Sequence, residues 1–178
     1  PPSSSQCGGD IAILILSSNV PATEATPIAP RLDAVPQINE QYTVSGFGLD
    51  GPQGTSGTRR TLDGNLIQCV GGRGCNGGSA LVFGEFAGTA PACQGDSGGA
   101  ALDTQGRLIG VNARASCPAS GPAFTVHTHV YDWASWIRQT AQTTATAGGY
   151  TAPAWVNGTG QQDQDFDGIN DGQDNCPM

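Results

Sequence analysis

The chain has 178 residues, enough for one ordinary domain and a short appendage. Its net charge is -8, and all seven cations are arginine, which disfavours a polyanion such as nucleic acid as a partner. With 37% hydrophobic residues the chain can bury a core, while 27 glycines and 12 prolines favour short strands and many turns over long helices.

The opening, PPSSSQCGGD, has neither an initiating methionine nor a signal-peptide pattern. Six cysteines nevertheless point to disulfides and an oxidising compartment, so we expect a fragment of a longer exported protein. DIAILIL, from Asp10 to Leu16, is too short to cross a bilayer and reads as a fully buried strand. YTVSGFG (Tyr42 to Gly48) alternates and then breaks at glycines, which predicts another strand. GTRRTLDGNLIQCV and SALVFGEF predict two more, separated by the glycine-rich CVGGRGCNGG. Cys69 and Cys75, set between glycines there, can close a local loop.

GGAALDTQGRLIGVNA reads as a hairpin, with Thr104, Gln105 and Gly106 turning between Ala100–Asp103 and Arg107–Val111. In VYDWASWIRQTAQ, Val130, Trp133, Ile137 and Ala141 share one helical face, so a helix is expected from Val130 to Gln142. TTATAGGYTAPAWVNGTGQQ has linker composition. The expected organisation is a domain over 1–142, a linker over 143–160 and an acidic unit over 161–178.

The chemistry centres on ACQGDSGGAAL, Ala92 to Leu102. Ser97 lies between glycines beside Asp96, a setting that suits an attacking hydroxyl, but a serine needs a base to become a good nucleophile. GDSGG meets the strand–turn–helix elbow pattern G-x-S-x-G. The context rejects that elbow, because AGTAPACQ before it is no buried strand and a hairpin follows it. Glycine at 95 and 98 lets the main chain curl so that N–H groups point at one spot. A bare GDSGG also suits an ordinary glycine loop, and Asp10 at the mouth of DIAIL also suits a simple strand terminator.

Taken together, CQGDSGGAAL, DIAIL, VSGFG, a later cysteine and SWIRQT in the terminal helix resemble the trypsin/chymotrypsin-like serine proteases, in unbroken order from about Gly9 to Thr140. The resemblance implies a mostly-β, chymotrypsin-like double antiparallel β-barrel with catalysis at the cleft between the barrels. In this chain the first barrel would be largely missing and the second complete, followed by a C-terminal helix. Ser97 matches the nucleophile, and the backbone N–H groups of Gly95 and Ser97 match the oxyanion hole. Asp10 matches the acid that orients the catalytic imidazole. Asp96 matches the carboxylate that pairs with a new amino terminus after activation cleavage. Cys93 and Cys117 match a family disulfide that braces the substrate pocket.

The order histidine, aspartate, serine places the base upstream of DIAIL, before Pro1, so this piece alone is expected to be inert. His127 and His129 fall on the family's last strand, at an aromatic and a frequently basic position, and read as structural or surface residues. The chain departs from the family at Ala113, Arg114 and Ala115, which replace the usual serine, tryptophan and glycine. The pocket-floor position is Pro91 rather than an acid, which argues against trypsin-like specificity. Ala115 and Thr125 on the walls suggest a small or medium apolar substrate side chain.

The tail DQDFDGINDGQDNCP holds five of the fifteen acids. Asp163, Asp165, Asp167, Asp171 and Asp174 occupy positions one, three, five, nine and twelve of an EF-hand-type calcium loop, with Gly168 at the turn and the carbonyl of Ile169 as a further ligand. With no flanking helices and a DNCP ending, the segment resembles a thrombospondin type 3 repeat. That resemblance implies Ca2+ in an extracellular stalk. An acidic solubilising tail is the plain alternative. Cys7 and Cys176 are expected to seek partners outside this piece.

The expectation is therefore a secreted serine endopeptidase acting on protein or peptide substrates, with no cofactor for catalysis, Ca2+ in the tail, no nucleic acid and no membrane span. The alternatives are a non-catalytic protease-like binding module and a calcium-dependent extracellular adhesion or structural protein.

Overall fold

The computed structural model describes residues 9–72, 74, 75, 81, 83–117, 119 and 124–158. Its strands are β1 (Gln41–Gly46), β2 (Arg60–Val70), β3 (Gly74–Cys75), β4 (Glu85–Gly88), β5 (Ala100–Asp103), β6 (Leu108–Ser116) and β7 (Phe124–His129). The helix α1 (Ala134–Gly148) and a 3-10 turn (Ala154–Asn157) follow them. The strands run in the order β1-β5-β6-β7-β4-β2, and β1 pairs back onto β2. Every pairing between these strands is antiparallel, so six of them close a barrel, with β3 added at the edge of β2. Closure leaves those six without an open edge.

Inward-facing side chains fill the barrel. Tyr42, Ile67, Val70, Phe86, Ala90, Ala101 and Ile109 form one buried cluster. A second cluster, Leu32, Val130, Trp133, Ala134 and Ile137, joins the start of α1 to the barrel's outer face. The β5–β6 hairpin turns where the sequence predicts. Asp103 fixes that turn by accepting from the N–H groups of Gln105 and Arg107, both at 2.9 Å.

DIAILIL differs from expectation. It forms no strand and pairs with none among the described residues. Ile11 and Ile13 pack against the cluster beneath α1, whereas Leu14, Ile15 and Leu16 are 85%, 64% and 63% exposed. An apolar run reports a tendency to be covered, and here the described residues cover only its first half.

The C-terminal helix also differs. It begins four residues later than expected and runs on to Gly148. The hydroxyls of Thr144 and Thr146 donate back to the carbonyls of Thr140 and Gln142, so the threonines do not break the helix. The stop comes at Gly149, whose φ of +67° lets it and Tyr150 donate back to Thr146 and Ala145. The following segment folds back on α1, with Val156 buried and the carbonyl of Trp155 accepting from Arg138 Nε at 3.2 Å. Up to Asn157, the expected linker is thus packed structure. The acidic unit over 161–178, with all its proposed calcium ligands, lies outside the described residues, as does Cys7.

Candidate active site

The loop from Cys93 to Gly99 makes two successive turns just before β5. The N–H of Asp96 donates to the Cys93 carbonyl at 3.1 Å, and that of Gly99 donates to the Asp96 carbonyl at 2.9 Å. Strand β6 holds the loop from behind. Gly98 donates to the Asn112 carbonyl, and Asn112 donates to the Gly99 carbonyl, both at 2.9 Å. Gly95 has φ +95°, a conformation that side-chain-bearing residues rarely adopt.

Asp96 locks the loop against the segment after β1. One carboxylate oxygen accepts from the N–H of Gly48 at 2.7 Å, and the other from the N–H of Cys93 at 2.9 Å. Leu49 adds a main-chain bond to the Gln94 carbonyl at 3.0 Å. Ser97 itself is exposed. The N–H groups of Gly95 and Ser97 donate to no group among the described residues. The loop therefore presents a hydroxyl and two unused donors on a braced turn.

Asp10 is exposed, and its carbonyl accepts from Thr128 Oγ1 at 2.9 Å, which anchors the N-terminal segment to β7. Its carboxylate also acts on Arg114. The Arg114 guanidinium donates to both carboxylate oxygens of buried Glu85, one of them at 2.8 Å. The hydrogen bond to Glu85 raises the Arg114 pKa above its ordinary value; partial burial opposes this, and the charges of Glu85 and Asp10 reinforce it. Asp10, Arg114 and Glu85 thus form one electrostatic group. Asp10 and Arg114 stand out in the sequence whereas Glu85 does not, because an acid on a short strand carries no sign of the residue it meets across β7.

A cavity of about 400 Å³ opens beside the loop. Pro91, Cys93, Asp96, Asn112, Cys117 and His127 are among its lining residues. Cys93 and Cys117 are disulfide-bonded. Ala113, Arg114, Ala115 and Thr125 do not line this cavity. The Thr125 hydroxyl instead donates to the Ala90 carbonyl at 2.6 Å. Cys69 is disulfide-bonded as well and stands opposite Cys75 in the β2–β3 register.

Both histidines are buried, 1% exposed each. His127 stacks on Phe86 with ring centroids 4.7 Å apart and meets the edge of Tyr42 at 5.5 Å. Burial lowers its pKa to about 3, so the ring is neutral at physiological pH. His129 Nε2 lies 3.4 Å from Asp132 Oδ2. A base for the exposed Ser97 hydroxyl is not supplied by rings packed in this way.

The protein family described as Trypsin matches residues 2–137. The chain belongs to the trypsin family. That match spans the closed barrel, the GDSGG loop and the first residues of α1. Among solved structures, the trypsin-family chain is similar to neuropsin, a serine protease expressed in the limbic system of mouse brain, at 22% identity and a TM-score of 0.55. The similarity covers 69% of this chain and 56% of neuropsin, and at that identity it speaks for the fold. No curated protein matches the chain in sequence.

Proposed function

We propose that this trypsin-family domain belongs to a secreted serine endopeptidase. Ser97 attacks the substrate carbonyl, and the N–H groups of Gly95 and Ser97 hold the oxyanion, each worth roughly 3 kcal/mol at the transition state. Asp10 orients a histidine supplied from outside these 178 residues, and that histidine takes the Ser97 proton. The observation that carries the reading is the braced loop, in which Asp96 is tied to Gly48 and Cys93 while the donors at 95 and 97 meet no acceptor among the described residues. Pro91 in the cavity lining gives no charge to meet an arginine or lysine side chain, so specificity is not trypsin-like.

A fluorophosphonate probe on the full-length protein tests this. Labelling at Ser97, abolished by Ser97→Ala, is the expected result; an unlabelled serine in the folded, processed protein sinks the reading.

One observation favours a second reading, a non-catalytic binding module. Arg114 places a cation within electrostatic reach of Asp10, where it competes with an imidazolium for the same carboxylate. The same labelling experiment separates the two.

For residues 161–178 the proposal is a calcium loop held by Asp163, Asp165, Asp167, Asp171, Asp174 and the Ile169 carbonyl, carried by sequence spacing alone. Among the described residues no helix is long and apolar enough to cross a membrane. The extracellular assignment rests on the disulfide between Cys93 and Cys117.

A further inference from the structure

The wall of the cavity beside Ser97 contains two polar side chains that the reaction above does not use. Asn112 on β6 and His127 on β7 are direct cross-strand partners, and both line the cavity. Asn112 is 7% exposed and His127 1%. Asn112 Oδ1 and both ring nitrogens of His127 are buried without a hydrogen-bond partner among the described residues. Such groups are rare in folded proteins, because each gives up its hydrogen bonds to water unless something meets it. The nearby polar groups are already engaged. Asp96 accepts from Gly48 and Cys93, Asp50 pairs with Arg60 at 2.9 Å, and the Tyr42 hydroxyl accepts from the Ala90 N–H.

Cys93 and Asp96, at the base of the Ser97 turn, line the same cavity. The cavity therefore borders the Ser97 turn, on the side where a substrate side chain next to the scissile bond can reach it. We infer that Asn112 and His127 determine specificity in this cavity and select a substrate side chain ending in a primary carboxamide, glutamine or asparagine. The inference rests on the peptidase reading of Ser97 for its functional meaning.

The chemistry follows from what each wall group offers. A neutral imidazole carries one donor and one acceptor, and Asn112 Oδ1 is an acceptor. A carboxamide brings a carbonyl for the imidazole N–H and an NH2 group for Asn112 Oδ1. An aliphatic side chain leaves all three atoms unmet. A carboxylate needs a cationic ring, which burial among Phe86 and Tyr42 opposes. A guanidinium or ammonium needs an unengaged acid, and Asp96 and Asp50 are both bonded.

The test uses the full-length protein and peptides that differ only at the residue before the scissile bond: glutamine, leucine, glutamate or arginine. In the Ser97→Ala protein, calorimetry is expected to show the glutamine peptide binding at least tenfold more tightly than the leucine peptide. His127→Phe keeps the aromatic stack, and Asn112→Val places a strand-favouring side chain of similar size on β6; each is expected to bring the glutamine-to-leucine ratio close to one. Equal or tighter binding of leucine, glutamate or arginine in the unmodified pocket overturns the inference. So does a ratio that survives both substitutions. Because binding is read without turnover, these outcomes are independent of the fluorophosphonate result, which judges the peptidase reading by itself.

Discussion

Asp96 and Gly48 touch through the space a side chain would fill. The Asp96 carboxylate accepts from the Gly48 N–H at 2.7 Å, and a Cβ built on Gly48 would stand 2.6 Å from both the Asp96 amide nitrogen and its carboxyl carbon. Neither backbone can retreat easily, since Leu49 is bonded to Gln94. Gly48→Ala is therefore expected to cost about 1–3 kcal/mol through overpacking. The denaturation midpoint reads that cost. Fluorophosphonate labelling of the variant should slow as well, because the displaced group is the brace of the Ser97 turn. Unchanged stability and labelling together would show that the loop is not held from this side.

The Cys93–Cys117 bond joins the Ser97 loop to the end of β6 across a sequence separation of 24. Replacing both cysteines with serine should cost about 3 kcal/mol, the chain-entropy value for a loop of that size. Urea denaturation of the oxidised parent and the double variant measures the difference. A loss under about 1 kcal/mol would mean that strand pairing already fixes the two ends.

Much of this architecture is legible in the sequence because it depends on local chemistry. The β5–β6 hairpin follows from Asp103 and Gly106, which set a turn between two apolar runs. The Ser97 turn follows from Gly95, whose φ of +95° needs glycine. What stays hidden depends on partners distant in sequence. DIAILIL looks buried from its residues, yet its last three apolar side chains stay mostly exposed against the described residues. Glu85 and Arg114 are separated by 29 residues and meet only when β4 and β6 both flank β7. The helix end differs from its sequence expectation for another reason. Thr144 and Thr146 read as linker residues until their hydroxyls find carbonyls one turn back.

Asp103 lies at the centre of a second group of charges, away from the cavity. It accepts from Arg107 Nε at 2.9 Å and faces Arg31 NH1 at 3.4 Å, while Arg31 also pairs with Glu40. Burial pushes the Asp103 carboxyl up, but the N–H groups of Arg107 and Gln105 and the Arg107 guanidinium outweigh it, so its pKa falls below the ordinary 3.8. A carboxyl depressed in the fold stabilises the protein above its unfolded pKa, and that stability is lost as pH falls through the folded value. The parent should therefore lose stability below about pH 4. Asp103→Asn should be less stable at neutral pH by roughly 3 kcal/mol and should show a shallower acid limb. Thermal melts between pH 7 and pH 2 decide it, and parallel curves for the two proteins would remove Asp103 from the account.

His127 makes the opposite kind of demand, because it is a base kept neutral. Buried against Phe86 and Tyr42, its pKa drops from 6.5 to about 3. In the unfolded chain the ring takes up a proton as pH falls below 6.5, while in the fold it does not do so until about pH 3. The unfolded state therefore binds more protons across that interval, and stability declines as pH falls through it. His127→Phe removes the titrating group and keeps the stacked ring. Its stability should exceed the parent's increasingly from pH 6.5 down towards pH 3, with the smallest difference above pH 7. At neutral pH the variant also relieves two buried nitrogens that have no partner among the described residues, so a gain of about 1 kcal/mol is expected even there. Urea midpoints at pH 7.5, 5.5 and 4.5 test the sign. A difference that does not grow on acidification would mean that the ring is protonated in the folded protein, and the neutral donor–acceptor pair assigned to the cavity wall would fall with it.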